Sequence, residues 1–409
     1  MSDQLTIRPA RPDEARVSAL LSQEAFGAPQ VLPEPPPDPT AAHKPTWFAE
    51  LGGRVVGKAC DRPYESWYGG RRVPTSGIAS VAVQPEVRGR GVAKALLRHT
   101  LAQAHARGAV ISTLYPTAPA IYRGLGFGVV GAYTWFRVPT AALAAVRPPA
   151  HDVLLERVDE HAWPELLACY TAWARDHDGP LSRDDDGYPI PSVDIASHRI
   201  TLARDASGSA VGYAAWTRTG GLGEQGLLEV PDLVATTADA ARALLRSLGS
   251  QASAAPQTHL LGAGEDLLPW FLPTKDVTPI DRRPYQLAVL DVAGALTARG
   301  WAPNVRVVAT VAVEGLVVPG QDGRYRLEIA DGLAHVERLG DVAEGTAGAA
   351  EGTPRLTAAG LGMLYAGCPP RLLRLAGQLS SEPAPDALDA LDAIATATAG
   401  RGFAVRDYF

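Results

Sequence analysis

The sequence predicts a mixed α/β and α+β chain: two α/β units, the second a degenerate copy of the first, followed by an α+β domain. Three observations carry this. Strand and helix signals alternate through residues 1–145, with apolar residues recurring first at every second position and then at every third or fourth. The order hairpin, strand, short turn, helix returns within residues 146–285, where Ala243-Leu244-Leu245-Arg246 repeats Ala95-Leu96-Leu97-Arg98. In residues 286–409 strand signals come first and helices last. These ranges are the expected domains.

In the first unit LTIRPA reads as a strand and DEARVSALLSQEAF as an amphipathic helix, with Val17, Leu20, Leu21 and Phe26 on one face. VLPEPPPDPTAAHKP is too proline-rich for either element. TWFAEL and RVVGKA flank Gly52-Gly53, a hairpin signal; its Trp47 and Phe48 fit a substrate wall and a hairpin core equally. SGIASVAV is a strand. A helix begins near Val92, runs through Leu96, Leu97, Leu101 and Ala104, and stops at Gly108. AVISTLY is a strand, APAIYRGLGFG a short helix ending at glycine, and YTWFRV the last strand. AVRPPAHDV reads as the linker. In the second unit TLARDASGSAVGYAAWTR is a hairpin and LLEVPDLVATTADAARALLRSLGS a strand, turn and helix. The third region opens near PYQLAVLDVAGAL. GRYRLEIADGLAHVER is a hairpin turning at Asp331-Gly332, EGTAGAAEGT (344–353) a loop, and TAAGLGMLYAG, PPRLLRLAGQL and DALDALDAIATATAG helices.

The composition, 46% hydrophobic and 20% charged, suits soluble globular domains. The net charge of -6 argues against a nucleic-acid partner and suits cationic small molecules. Cys60, Cys169 and Cys368 lie far apart, which gives neither a disulfide framework nor a zinc site. The nine histidines show no ligand spacing, and no metal is expected. The acidic stretch DHDGPLSRDDD (176–186) lacks the spacing of a calcium loop and reads as solvated. With no apolar leader and no run near the roughly 18 apolar residues of a membrane span, a cytoplasmic protein is expected.

The stretch QPEVRGRGVAKALLRH (84–99) carries the chemistry. Arg88, Gly89, Arg90, Gly91, Val92 and Ala93 lie between a strand and a helix. Unpaired N–H groups and the helix dipole attract anions there, and glycine lets a ligand approach the backbone. A phosphate or pyrophosphate is the expected occupant. The P-loop pattern fails because Ala95 follows Lys94, and the dinucleotide pattern fails because Lys94 takes the third glycine position.

What does match is Arg-x-x-Gly-x-Ala at Arg88, Gly91 and Ala93, which resembles the coenzyme A loop of the GNAT acetyltransferase superfamily. SVAVQPEVRGRGVAKALL, AIYRGLGFG, LLEVPDLVATTADAARALLRSL, RYRLEIADG, LTAAGLGMLYAG and the terminal Phe409 together resemble the Eis (enhanced intracellular survival) acetyltransferases over nearly the whole chain. The resemblance implies two GNAT units, the second degenerate, and a sterol-carrier-protein-like domain. It implies acetyl-CoA as co-substrate, a small amine such as an aminoglycoside or polyamine as acceptor, and a hexamer; the acceptor does not transfer with the fold. It makes Tyr122 the general acid at the thioester sulfur, Val81, Ala82 and Val83 the strand pairing with the pantetheine amides, and the carboxylate of Phe409 the base. The bland alternatives are a core tyrosine and a frayed terminus. In the second unit Thr236 and Asp239 replace Arg88 and Gly91. A carboxylate there repels phosphate, so no coenzyme A is expected in that unit. A protein lysine acetyltransferase and a lipid carrier using the third domain are the competing functions.

Overall fold

The computed structural model describes residues 4–27, 29–184, 197–221, 223–262, 268–272, 275–342, 352–380, 384–399 and 402–409. The first two units share one twelve-stranded sheet. Its strands are β1 (Leu5–Pro9), β2 (Thr46–Leu51), β3 (Arg54–Tyr68), β4 (Arg71–Val83), β5 (Ile111–Leu114), β6 (Gly128–Pro139), β7 (Leu154–Val158), β8 (Arg199–Arg204), β9 (Ala210–Thr219), β10 (Leu227–Ala235), β11 (Gln257–Leu261) and β12 (Thr278–Val289). The order is β1-β2-β3-β4-β5-β12-β6-β11-β10-β9-β8-β7. Strand β12, which follows the second unit in sequence, lies between β5 and β6 of the first, and β6 pairs in turn with β11 of the second. Each unit therefore completes its sheet with a strand from the other's side. The expected division at 285/286 falls inside β12.

The helices are α1 (Ala15–Phe26), α2 (Val92–Ala106), α3 (Pro119–Arg123), α4 (Thr140–Ala144), α5 (Trp163–Arg175), α6 (Ala238–Gly249) and the single turn α7 (Leu268–Phe271), followed by those of the third domain. Helix α2 packs Leu97, Leu101 and Ala104 with Ile78, Leu114 and Phe127, and Val92 and Leu96 with Ala49, Val56 and Ala59. In α6 the repeated leucines, Leu244 and Leu245, are likewise buried. The shared tetrapeptide thus marks the same buried stripe in both units.

The stripe expected on α1 is corrected. Ser18 and Leu21 are the buried residues, while Val17, Leu20 and Phe26 are exposed. The sheet face beneath α1 presents Lys58, whose buried ammonium donates to Ser18 Oγ at 2.9 Å. That bond requires a polar residue inward, and the helix rotates accordingly. The Tyr68-to-Arg71 turn, where Gly69 and Gly70 have φ of 60° and 78°, is hidden in the sequence. Pro63 and Pro74 inside the long β3–β4 hairpin obscure it, since proline usually ends a strand.

The third domain has a second sheet, β15-β14-β13-β16-β17, from β13 (Val307–Glu314), β14 (Gly323–Ala330), β15 (Leu333–Gly340), β16 (Arg355–Thr357) and β17 (Leu379–Ser380). Helices Ala358–Tyr365 and Pro385–Ala399 cover it, and Tyr325, Leu327, Ile329, Leu361, Leu391 and Ile394 fill the interior. The 344–353 loop falls largely outside the described residues.

Candidate active site

Strands β4 and β5 pair only at Thr75–Gly77 with Ile111–Thr113 and then diverge. A bulge causes this. The β3–β4 register shifts between Lys58↔Ala82 and Cys60↔Ala79, and Ser80 takes a positive φ of 51°. An extra residue on one strand bends it away from its neighbour, and such bulges recur beside functional sites. The wedge opens into a cleft of about 580 Å³. Val81, Ala82, Val83, Arg88, Gly89, Gly91, Val92, Ala93 and Tyr122 all line it, with Ala25 and Phe26 of α1. Of the loop residues singled out in the sequence, Arg90 is not in the lining.

Gly91 is the N-cap of α2, with φ of 80°, and no side chain caps the helix. Its first N–H groups therefore keep their anion-binding capacity. Gly89 and Gly91 both require the left-handed region, and a Cβ on either would meet nothing within 4 Å, so the backbone faces open space. Arg88 Nε donates to the carbonyl of Val83 at 3.1 Å, which ties the loop to the end of β4. This donor set fits a pyrophosphate.

Tyr122, on α3 at the opposite wall, is 5% exposed and meets Phe127 edge-on at 6.1 Å between ring centres. Burial pushes its phenol above the usual value, and a hydrogen bond with Thr117 partly offsets this. Tyr122 therefore packs in the core and lines the cleft at once; the two readings do not compete.

The C-terminus is not frayed. Ala404, Val405, Arg406 and Asp407 are buried, and the tail threads between all three parts of the chain. Asp178 exchanges backbone bonds with Gly402 and Ala404. The Phe403 ring lies against Tyr68 and Tyr285. Tyr115 Oη donates to the carbonyl of Asp407 at 2.7 Å. Phe409 places its ring 5.2 Å from Tyr64 and 5.4 Å from Tyr115, centre to centre. A Cβ on Gly77, where β4 and β5 last pair, would lie 2.8 Å from Phe409 Cε2. The terminal residue thus sits at the apex of the wedge, although it does not line the cleft itself.

Residues 6–130 and 171–292 each match a GNAT acetyltransferase domain, and residues 292–400 match a sterol carrier protein domain. An N-acetyltransferase of Streptomyces avermitilis is 30% identical over 68% of this chain and 70% of its own length. The chain belongs to the GNAT N-acetyltransferases and is Eis-like. The N-acetyltransferase Eis of Mycobacterium tuberculosis is 28% identical over 69% of this chain and 71% of that protein. The crystal structure of a GCN5-related N-acetyltransferase from Kribbella flavida superposes with a TM-score of 0.81 at 26% identity, covering 100% of this chain and 99% of the other.

Within this Eis-like enzyme the second GNAT unit differs from the first at its helix N-terminus. Thr237 caps α6 by accepting from Ala240 N at 3.1 Å, so a donor left open in α2 is satisfied here. Asp239 accepts from the backbone N–H of Ala150 and of His151, at 2.9 and 3.1 Å, and pairs with Arg242. These bonds hold its carboxyl well below the ordinary carboxylate value. The position that corresponds to Gly91 is thus an anion already fastened to the linker. Of the two roles open to Trp47 and Phe48, the packing favours the hairpin core: Phe48 is fully buried and Trp47 packs edge-on against His99 of α2. The solvated reading of the acidic stretch is corrected. In the acidic stretch Asp178, Ser182 and Arg183 are buried rather than solvated; Asp185 and Asp186 lie outside the described residues. Among the described residues no group of His, Cys, Asp and Glu could hold a metal, and no helix is long and apolar enough to cross a membrane.

Proposed function

We propose that this acetyltransferase takes its acetyl group from acetyl-CoA and passes it to an amine of a small cationic molecule, aminoglycoside- or polyamine-like. The observation that carries the reading is that the uncapped N-terminus of α2, its two left-handed glycines and Tyr122 open on one cleft. The backbone N–H groups of Gly91 to Ala93 and the side chain of Arg88 would hold the pyrophosphate, and the edge of β4 at Val81–Val83 the pantetheine arm. The amine lone pair attacks the thioester carbonyl in a ternary complex, the C–S bond breaks, and the thiolate leaves. A thiol titrates near 8.5, below even an ordinary phenol near 10. Full proton transfer from Tyr122 to the thiolate is therefore uphill. Tyr122 acts chiefly as a hydrogen-bond donor that stabilises charge on sulfur, and the protonated nitrogen of the tetrahedral adduct supplies the proton that finally reaches the thiolate. The C-terminal carboxylate of Phe409 would orient the attacking amine and accept the adduct's proton on the way, directly or through water. The enzyme is read as a cytoplasmic homo-oligomer, the hexamer its family resemblance implies.

The test is acetyl-CoA-dependent thiol release with aminoglycosides, polyamines and lysine peptides as acceptors. Intersecting initial-rate patterns are expected; ping-pong kinetics, or an acetylated enzyme trapped without acceptor, rule out direct transfer. Preference for lysine peptides over the small amines rules out the acceptor class.

Replacing Gly91 with Asp reproduces the second unit's residue at the first unit's loop. Aspartate tolerates the left-handed conformation at a modest cost of about 1–2 kcal/mol, so the fold is expected to survive. Hydrogen bonds to a charged phosphate contribute about 1.5–3 kcal/mol each, so acetyl-CoA should bind at least roughly tenfold more weakly. Calorimetric titration checks this, and unchanged affinity would move the pyrophosphate elsewhere. By the same magnitude, Tyr122→Phe should lower kcat by roughly tenfold to a hundredfold with acetyl-CoA affinity retained; undiminished kcat would leave Tyr122 a packing residue alone.

A further inference from the structure

Beside the tail lies a buried cluster of four charges. Arg183 Nη1 reaches Asp232 Oδ2 at 2.7 Å, Arg183 Nη2 reaches Asp407 Oδ1 at 2.9 Å, and Arg406 Nη1 lies 3.3 Å from Asp232 Oδ1. All four side chains are at most 6% exposed. Tyr213 Oη donates to Asp232 Oδ2 at 2.8 Å, Tyr170 Oη to Asp407 Oδ2 at 3.3 Å, and the Arg183 guanidinium lies 3.8 Å over the Tyr170 ring. Two cations and two anions balance. Burial pushes the Asp232 carboxyl up, but Arg183 and Arg406 outweigh it and hold it below the ordinary value.

Stability does not explain such a cluster, because apolar side chains of similar volume are often as stable or more so. What the charges supply is geometry. A planar guanidinium shared between two carboxylates fits one arrangement. Asp407 is fixed by its side chain through Arg183 and by its carbonyl through Tyr115. Only two residues separate it from the chain end, at most roughly 7 Å of extended backbone. The terminal carboxylate is therefore confined to a small volume at the apex of the β4–β5 wedge.

We propose that Arg183, contributed by the degenerate second unit, is a positioning residue for acetyl transfer: through Asp407 it sets where the C-terminal carboxylate lies. This rests on the reading of that carboxylate as the base. It gives the second unit a part in the chemistry that does not depend on binding coenzyme A. The latch holds the last residues in place, and Gly77 leaves room for the ring of Phe409 to seat against Tyr64.

Arg183→Lys keeps the charge and loses the fork. Asp407→Asn keeps the shape and loses the charge. Each is expected to lower kcat by roughly tenfold to a hundredfold, since small misplacements of reacting groups have costs of that order. The acetyl-CoA dissociation constant and the acceptor KM should change little, which a general loss of structure would not produce. Should Arg183→Lys fail to fold, Asp407→Asn carries the same test. The deciding measurement repeats both substitutions in a chain lacking Phe409. There they should have roughly no further effect, within about twofold, because residues acting through one group are not additive. Losses that multiply in that background overturn the latch, as does wild-type kcat in either folded single variant. If deletion of Phe409 alone leaves kcat unchanged, the base reading itself fails and the latch fails with it.

Discussion

Deleting Phe409 is expected to lower kcat by about 10²–10⁴-fold, the usual range for general-base assistance. Acetyl-CoA affinity should remain near wild type, because Phe409 does not line the cleft that α2 and Tyr122 share. Deletion moves the terminal carboxylate back to Tyr408, roughly 3.5 Å along the chain. It also removes the ring that seats against Tyr64 and Tyr115. A short C-terminal extension removes the carboxylate without removing the ring, and should have a similar effect. Gly77→Ala supplies the converse, keeping the carboxylate and disturbing the seat: the new methyl would overlap the Tyr64 ring and come within 2.8 Å of Phe409 Cε2. Its kcat should fall while acetyl-CoA still binds. The chemistry sets a condition on all three. An α-carboxylate near 3.5 is a weak base toward an alkyl ammonium near 10. Direct deprotonation is steeply uphill unless burial narrows the gap. The carboxylate can contribute by orienting the substrate ammonium while water takes its proton, and by accepting the proton of the tetrahedral adduct on its way to the thiolate. A C-terminally extended enzyme with undiminished kcat eliminates this role, and a side-chain carboxylate would have to be sought in its place.

How much of this was legible in the sequence depends on the range of the interaction. The geometry of the turn before α2 was legible because its physics is local: glycines at 89 and 91, a strand before and a helix after fix it within a few residues. The degeneracy of the second unit was legible for the same reason, from Asp239 in the place of a glycine. The reason it is degenerate was legible only in part. The cap by Thr237 could have been read from the sequence, but the bonds from Asp239 to Ala150 and His151 span about ninety positions. The exchange of β6 and β12 between units leaves no periodic signal, because a strand's alternation shows that one face is buried and not which neighbour covers it. On helix α1 the exposed Val17 and Leu20 carry the stronger apolar pattern, whereas the decisive contact is Ser18 with Lys58, forty positions away. The acidic stretch is a second case. Asp178 and Arg183 look solvated beside Asp184 until Arg299, Asp232 and Asp407 arrive from distant parts of the chain.

The pair formed by Arg299 and Asp178 gives the largest expected effect on stability. Arg299 is wholly buried. It donates to Asp178 Oδ2 at 3.0 Å, to the carbonyl of Gly300 at 3.1 Å and to that of Tyr365, with the rings of Trp301 and Tyr365 at 4.6 and 4.8 Å. Asp178 in turn accepts from Gly69 N at 2.6 Å. One ion pair therefore joins the first unit's hairpin, the second unit and the sterol-carrier-type domain. The turns at Gly69 and Gly300 are in such close contact that a Cβ on either glycine would overlap the other's carbonyl. Arg299→Leu leaves Asp178 buried without its cation, and breaking a buried pair from one side costs about 3–5 kcal/mol. Urea unfolding should register a loss of that size, and a loss below about 1 kcal/mol would mean that the pair behaves like an exposed one. Adding Asp178→Asn should recover part of the loss, because a neutral amide oxygen still accepts from Gly69 and no unpaired charge remains. Turnover provides the contrast with Arg183. The backbone bonds of Asp178 to Gly402 and Ala404 persist in both variants, so the folded fraction of Arg299→Leu should keep kcat near wild type. If this prediction and that for Arg183 both hold, the two buried arginines are separated by function: Arg299 joins the domains, and Arg183 aims the tail.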